Sequence, residues 1–159
     1  MNLPDACLVI LVGPAGSGKS TFAQRHFAPA EIVSSDAFRA LIAEHPGDMW
    51  ASGPAFSMVR RRTAARLAQG LRTVVDATSV HRSSRRTLLG LARAAGRPAV
   101  AIVFDLPLEV CSARNAGRER PVPQAVLERQ HVRMRGSLHT LPGEGFAFIH
   151  VIHDGAGLA

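Results

Sequence analysis

Gly13-Pro14-Ala15-Gly16-Ser17-Gly18-Lys19-Ser20 decides how this 159-residue chain is read. A glycine, four residues, then Gly-Lys-Ser is the spacing of a loop whose backbone N–H groups wrap phosphates. Lys19 is the only lysine in the chain, and the eighteen other permanently basic residues are arginines. A slender ammonium fits beneath such a loop where a broad, planar guanidinium does not. The flanks agree. Cys7 to Val12 is a short apolar run suited to a buried parallel strand, and Ser20 to His26 reads as the first turns of a helix. In that setting Gly13, Ala15, Gly16, Ser17, Gly18, Lys19, Ser20 and Thr21 form the phosphate-binding set. Lys19 is expected to reach the β- and γ-oxygens of ATP, and the Ser20 hydroxyl to take a Mg²⁺ position.

Outward from the loop, strand and helix patterns alternate without repeats. Strands are predicted at Glu31–Ser34, Thr73–Asp76, Ala99–Asp105 and Phe146–Ile152. Helices are predicted from Asp36 to about Glu44, Pro54 to about Gln69, Ser83 to Ala95, Leu108 to Asn115, and Pro123 to about Leu138. His45-Pro46-Gly47-Asp48 reads as a break, and Phe56, Val59, Thr63 and Leu67 share one helix face. Short apolar strands separated by helices imply a parallel sheet covered on both sides. The expectation is an α/β fold, a three-layer P-loop NTPase sandwich with a five-stranded parallel sheet and ligand at the C-terminal strand ends. A single domain spans 1–159, with an arginine-rich lid at about 114–123 and a frayed tail at 155–159.

Composition narrows the class further. No apolar stretch approaches the ~20 residues of a membrane span, so no membrane partner is expected. Cys7 and Cys111 both lie in or beside apolar segments, which suits buried thiols in a reducing, cytoplasmic setting. Net charge is +7, with ten arginines against Asp76 alone between Arg60 and Arg97. That distribution suits a polyanion partner, or an arginine-biased proteome colouring an ordinary surface.

The chemistry is expected at the strand ends. Asp36 and Arg39 stand at i, i+3 just after the second strand and face the same way. Asp36 can accept a proton from an attacking hydroxyl, and Arg39 can hold an anionic group on the acceptor. The plainer role there is that Ser35 or Asp36 caps the helix. Asp76 closes an apolar strand, where an acid orients Mg²⁺ or its waters, and Thr78 and Ser79 follow at the same edge as substrate contacts. Arg114 and Arg118 lie in the predicted lid and would meet the charge spreading over a transferring phosphoryl group. Trp50, the single tryptophan, suits stacking on a nucleobase or plain packing.

Taken together, these residues resemble the kinase module of bacterial and phage polynucleotide 5′-kinases, from about Leu8 to Ile152. The likeness rests on Gly16 to Ala23 (Gly-Ser-Gly-Lys-Ser-Thr-Phe-Ala), Val33 to Arg39 (Val-Ser-Ser-Asp-Ala-Phe-Arg) and Thr73 to Thr78 (Thr-Val-Val-Asp-Ala-Thr). Ala101 to Pro107 and Cys111 to Arg118 add to it. The resemblance implies that Asp36 is general base for an acceptor 5′-hydroxyl and Arg39 binds the acceptor's 3′-phosphate. It also makes Arg114 and Arg118 lid arginines engaging ATP. The implied reaction is transfer of the γ-phosphate to the 5′-OH of RNA or DNA; the alternative is a P-loop kinase for a sugar, nucleoside or antibiotic. Two departures fall in the acceptor region. Ser79 stands where family members often carry Asn, and Pro46 to Pro54 lacks the polar, helix-compatible pattern of the family.

Overall fold

Each apolar run in the sequence becomes a strand: β1 (Leu8–Val12), β2 (Ile32–Ser34), β3 (Thr73–Asp76), β4 (Ala99–Phe104) and β5 (Phe148–Ile152). The helices are α1 (Lys19–His26), α2 (Ser35–Ile42), α3 (Ser52–Ala68), α4 (Arg82–Ala94), α5 (Leu108–Ala116) and α6 (Gln124–Ser137). These positions come from a computed structural model that describes residues 3–42 and 52–153. The predicted break at 45–48, Trp50 and the tail at 155–159 lie outside the described residues.

The five strands form one parallel sheet in the order β2-β3-β1-β4-β5. β1 is its axis, with Ile10 paired to Val75 on one side and to Ala101 on the other. Every residue of β1 and β4 is buried, as a central strand covered on both faces requires. Alternation then divides the core. Leu8, Ile10 and Val12 face a layer containing Val59, Leu67, Leu88 and Leu89 from α3 and α4. Val9 and Leu11 face Phe22, Ala23 and Cys111 from α1 and α5, together with Phe104 of the sheet itself. Each large aliphatic side chain so buried is worth about 1.5–3 kcal/mol. Helix α6 serves both sides, with Leu127 in the second cluster and Met134 in the first.

Boundaries differ from expectation where local chemistry intervenes. Pro29–Glu31 form a 3-10 turn, so β2 starts at Ile32 rather than Glu31. Helix α3 begins at Ser52, with Pro54 in a first turn whose N–H groups have no intrahelical acceptor to lose. The expected cap of α2 is corrected: Ser34, not Ser35 or Asp36, accepts the Ala37 N–H at 3.3 Å. The helix already begins at Ser35, so Ser34 is the flanking cap residue and Ala37 the third amide inside the helix. Among the described residues Asp36 makes no capping hydrogen bond.

Candidate active site

Strand β1 delivers the glycine loop to the C-terminal edge of the sheet, and the loop is held from three directions. From β3, Thr78 accepts the Gly13 N–H at 3.0 Å. From α6, Gln130 Oε1 accepts the Ala15 N–H at 2.9 Å. From α5, the Cys111 carbonyl presses so closely on Gly16 that an added Cβ would collide with its oxygen. Gly16 also has φ +74° and Gly18 φ +93°, values that side-chain-bearing residues rarely adopt.

Inside the loop, Lys19 is buried and its ammonium donates to the Pro14 carbonyl at 2.7 Å, with Ser17 Oγ 3.4 Å away. Burial pulls its pKa from the ordinary 10.5 to about 8; Asp76 opposes the shift and Arg118 adds to it. Ser17 is fully buried, and its hydroxyl donates to Pro14 O at 2.8 Å, so it braces the loop from within. Gly13 is likewise internal, packed against Ser17 and Phe104. The remaining residues of the predicted set, Ala15, Gly16, Gly18, Lys19, Ser20 and Thr21, line an open cleft of about 540 Å³.

The same cleft gathers most of the other predicted residues. Asp36 and Arg39 reach it from α2, Asp76, Thr78 and Ser79 from the end of β3, and Arg114 and Arg118 from α5 and the following loop. Asp36 forms ion pairs with Arg39 and with Arg118, each at 3.6 Å, and its side chain is 61% exposed. One carboxylate thus faces two guanidinium groups, one from each wall. Asp76 lies deeper and is 8% exposed. Burial raises its pKa, while a hydrogen bond from Ser20 and the charge of Lys19 pull the other way.

The Ser20 hydroxyl and Asp76 carboxylate are an all-oxygen pair beside a phosphate loop. That donor set suits Mg²⁺, which takes one or two protein oxygens and completes its shell with water and phosphate. Asp76, buried and partly charge-compensated, would be the residue to orient such an ion.

Several contributors escaped the sequence reading. Gln130 reaches the loop from 115 residues away. Asn115 ties the two ends of the arginine-rich loop together, donating from Nδ2 to Val122 O at 2.8 Å and accepting the Val122 N–H at 3.0 Å. Phe56 and Ser84 also line the cleft. Arg85 is fully buried and bidentate to Glu144, at 2.8 Å from Nε and 2.6 Å from Nη2. Only the apolar periodicity of α3 hinted at any of these, through Phe56.

Known proteins agree with this architecture. Residues 8–139 match the family model described as an AAA domain, AAA_33. A chain of the Pnkp1/Rnl/Hen1 RNA repair complex superposes with a TM-score of 0.66 at 25% identity. That match covers 87% of this chain and 47% of the other, so this chain spans about half the length of that relative. A sugar kinase from Janibacter sp. HTCC2649 superposes with a TM-score of 0.61 at 21% identity, covering 96% of this chain and 90% of that one. The AvrRxo1-ORF1:-ORF2 complex with ATP gives a TM-score of 0.73 at 17% identity, covering 94% and 55%. No curated protein sequence matches the chain. With most of its length matched by that one model, the chain belongs to the AAA-domain family AAA_33 and has the fold of a P-loop kinase.

Proposed function

We propose that the protein is an ATP-dependent phosphotransferase that moves the γ-phosphate of ATP to the 5′-hydroxyl of RNA or DNA. The observation that carries this reading is Asp36. Its carboxylate is exposed in the cleft and stands between Arg39 on one wall and Arg118 on the other. A kinase needs a proton acceptor beside its transferring phosphate, and Arg39 next to Asp36 suits an acceptor that carries an anionic group.

In this account the amides of Ala15 to Ser20 and the Lys19 ammonium hold the β- and γ-phosphates. Mg²⁺, held by Ser20 and oriented by Asp76, neutralises phosphate charge when bound. Asp36 takes the proton of the acceptor hydroxyl as its oxygen approaches the γ-phosphorus. Arg118 exchanges its pair with Asp36 for the phosphoryl oxygens, and Arg114 joins it from a lid spanning about 114–123. Arginines so placed are worth about 10³-fold or more in rate. Arg39 binds the phosphate next to the acceptor hydroxyl, and Thr78 and Ser79 line the acceptor's path. The arginine excess along α3 and α4 and the relationship to an RNA repair protein support a nucleic-acid acceptor.

One feature favours a second reading, a small-molecule kinase: about 540 Å³ lies within the usual size range of small-ligand sites. Incubation with γ-labelled ATP, Mg²⁺ and a 5′-OH oligonucleotide separates the two. Label on the 5′ end supports the proposal. An unlabelled oligonucleotide beside labelled sugar or nucleoside would replace it with the second reading.

A further inference from the structure

Among the described residues Ser79 is the only non-glycine with a positive φ, at +48°. A left-handed serine costs on the order of 1–2 kcal/mol and persists only where its surroundings over-determine it. Here they do. Three consecutive carbonyls are each pinned by a hydrogen bond. Gly13 N–H donates to Thr78 O at 3.0 Å, and Arg85 Nη1 to Ser79 O at 2.9 Å and Val80 O at 3.0 Å. Ser137 Oγ lies 3.3 Å from Val80 O and gives its one proton to the nearer Arg133 O at 2.8 Å.

Arg85 can do this because it is itself clamped. Glu144 takes its other two donors, and Glu144 is buried with 3% of its side chain exposed. Burial alone would raise the Glu144 pKa; the Arg85 and Thr140 hydrogen bonds overcome that and hold it below the usual range. The carboxylate therefore stays charged, and the guanidinium has no reason to relax. What this rigid arrangement holds is the Ser79 hydroxyl, buried in a residue that lines the cleft at 5% exposure and without a hydrogen-bond partner among the described residues. A buried hydroxyl left unpaired is costly unless something else completes it.

Resting on the reading of the cleft as a kinase site, we infer that Ser79 is a specificity contact for the acceptor. Arg85 and Glu144 are the positioning pair that aims it. The hydroxyl hydrogen-bonds the acceptor next to the oxygen that Asp36 deprotonates. Its partner is a polar group on the acceptor rather than the nucleotide, because Ser79 follows β3, which pairs with β2, the strand that leads into Ser35, Asp36 and Arg39.

A double-mutant cycle tests this with Ser79→Ala, Glu144→Gln and the pair, read as KM for a 5′-OH oligonucleotide and KM for ATP. Each single change is expected to raise acceptor KM about five- to tenfold, the worth of one hydrogen bond, and to leave ATP KM within about twofold. The pair should match either single variant, because Glu144 acts only through Ser79. A purely structural Glu144 would instead lower the folded fraction, cutting kcat without moving acceptor KM, and that result overturns the positioning role. A rise in ATP KM in Ser79→Ala would put the hydroxyl on the nucleotide and overturn the acceptor role. If Glu144→Gln does not fold, Thr140→Val, which removes the 2.9 Å donor to Glu144 Oε1, carries the same comparison with a smaller shift. If wild type leaves the oligonucleotide unlabelled, the nucleic-acid reading alone fails. The cycle is then read on the sugar or nucleoside that is phosphorylated, and an unchanged KM for that acceptor in Ser79→Ala overturns the inference. If no acceptor is phosphorylated, the kinase reading fails and overturns the inference with it.

Discussion

Lys19 makes nucleotide affinity depend on pH in a window where few side chains titrate. With its pKa lowered to about 8 by burial, the ammonium is mostly charged at pH 7 and mostly neutral at pH 9 in the free protein. Phosphate oxygens need the charged form. If only that form binds, the apparent Kd scales as 1 + 10^(pH − 8), a factor of about 1.1 at pH 7, about 2 at pH 8 and about 11 at pH 9. Affinity should therefore fall about tenfold across two pH units, or about 1.4 kcal/mol. Binding should also take up protons, about half a proton per nucleotide at pH 8, since the bound phosphates raise the pKa again. Calorimetric titration of ATP at pH 7, 8 and 9, in two buffers of different ionisation enthalpy, reads both quantities. A Kd that stays level from pH 7 to 9, with no proton uptake at pH 8, would refute the claim that burial poises Lys19 for phosphate.

The same lysine should be a stability liability. Its folded pKa lies below the unfolded 10.5, so charging it costs the folded state about 3 kcal/mol at neutral pH, and the penalty fades as pH rises from about 8 to 10.5. Lys19→Met should thus abolish phosphoryl transfer while raising stability by about 2 kcal/mol, or about 4–8 °C in thermal unfolding. Gly16→Ala meets the Cys111 carbonyl and a positive φ together, and should lower Tm and eliminate ATP binding by calorimetry. Gln130→Ala frees the Ala15 amide and should weaken ATP binding about fivefold, the worth of one hydrogen bond of about 1 kcal/mol, with acceptor KM unchanged.

What could be read from the sequence was whatever repeats at short range. The all-apolar runs of β1 and β4 announce central parallel strands, and Gly-Lys-Ser fixes which strand carries the loop. The i, i+3 spacing of Asp36 and Arg39 put both on one face of α2, where they form an ion pair. The cap of α2 was misassigned because Ser34, Ser35 and Asp36 are all good capping residues in succession, and composition cannot choose among them. Contacts closed by the tertiary fold were invisible. Gln130 meets Ala15 only because α6 crosses the sheet end, and Arg85 meets Glu144 across 59 residues. In the sequence Arg85 sits among Arg82 and Arg86 and looks like another surface cation. Its full burial is a product of the fold. Ser79's backbone conformation had no local signal either, since serine is not a residue that favours φ above zero.

The central claim is that Asp36 serves an acceptor hydroxyl in a P-loop kinase cleft, and Asp36→Asn tests it most directly. The substitution keeps the size of the side chain, removes the base, and lies on the surface of α2 away from both cores. Transfer of label from γ-labelled ATP to a 5′-OH oligonucleotide should drop by at least about 10²-fold, in keeping with loss of a general base, while ATP affinity stays within about threefold. Full transfer by Asp36→Asn would contradict the account, whatever the acceptor proves to be.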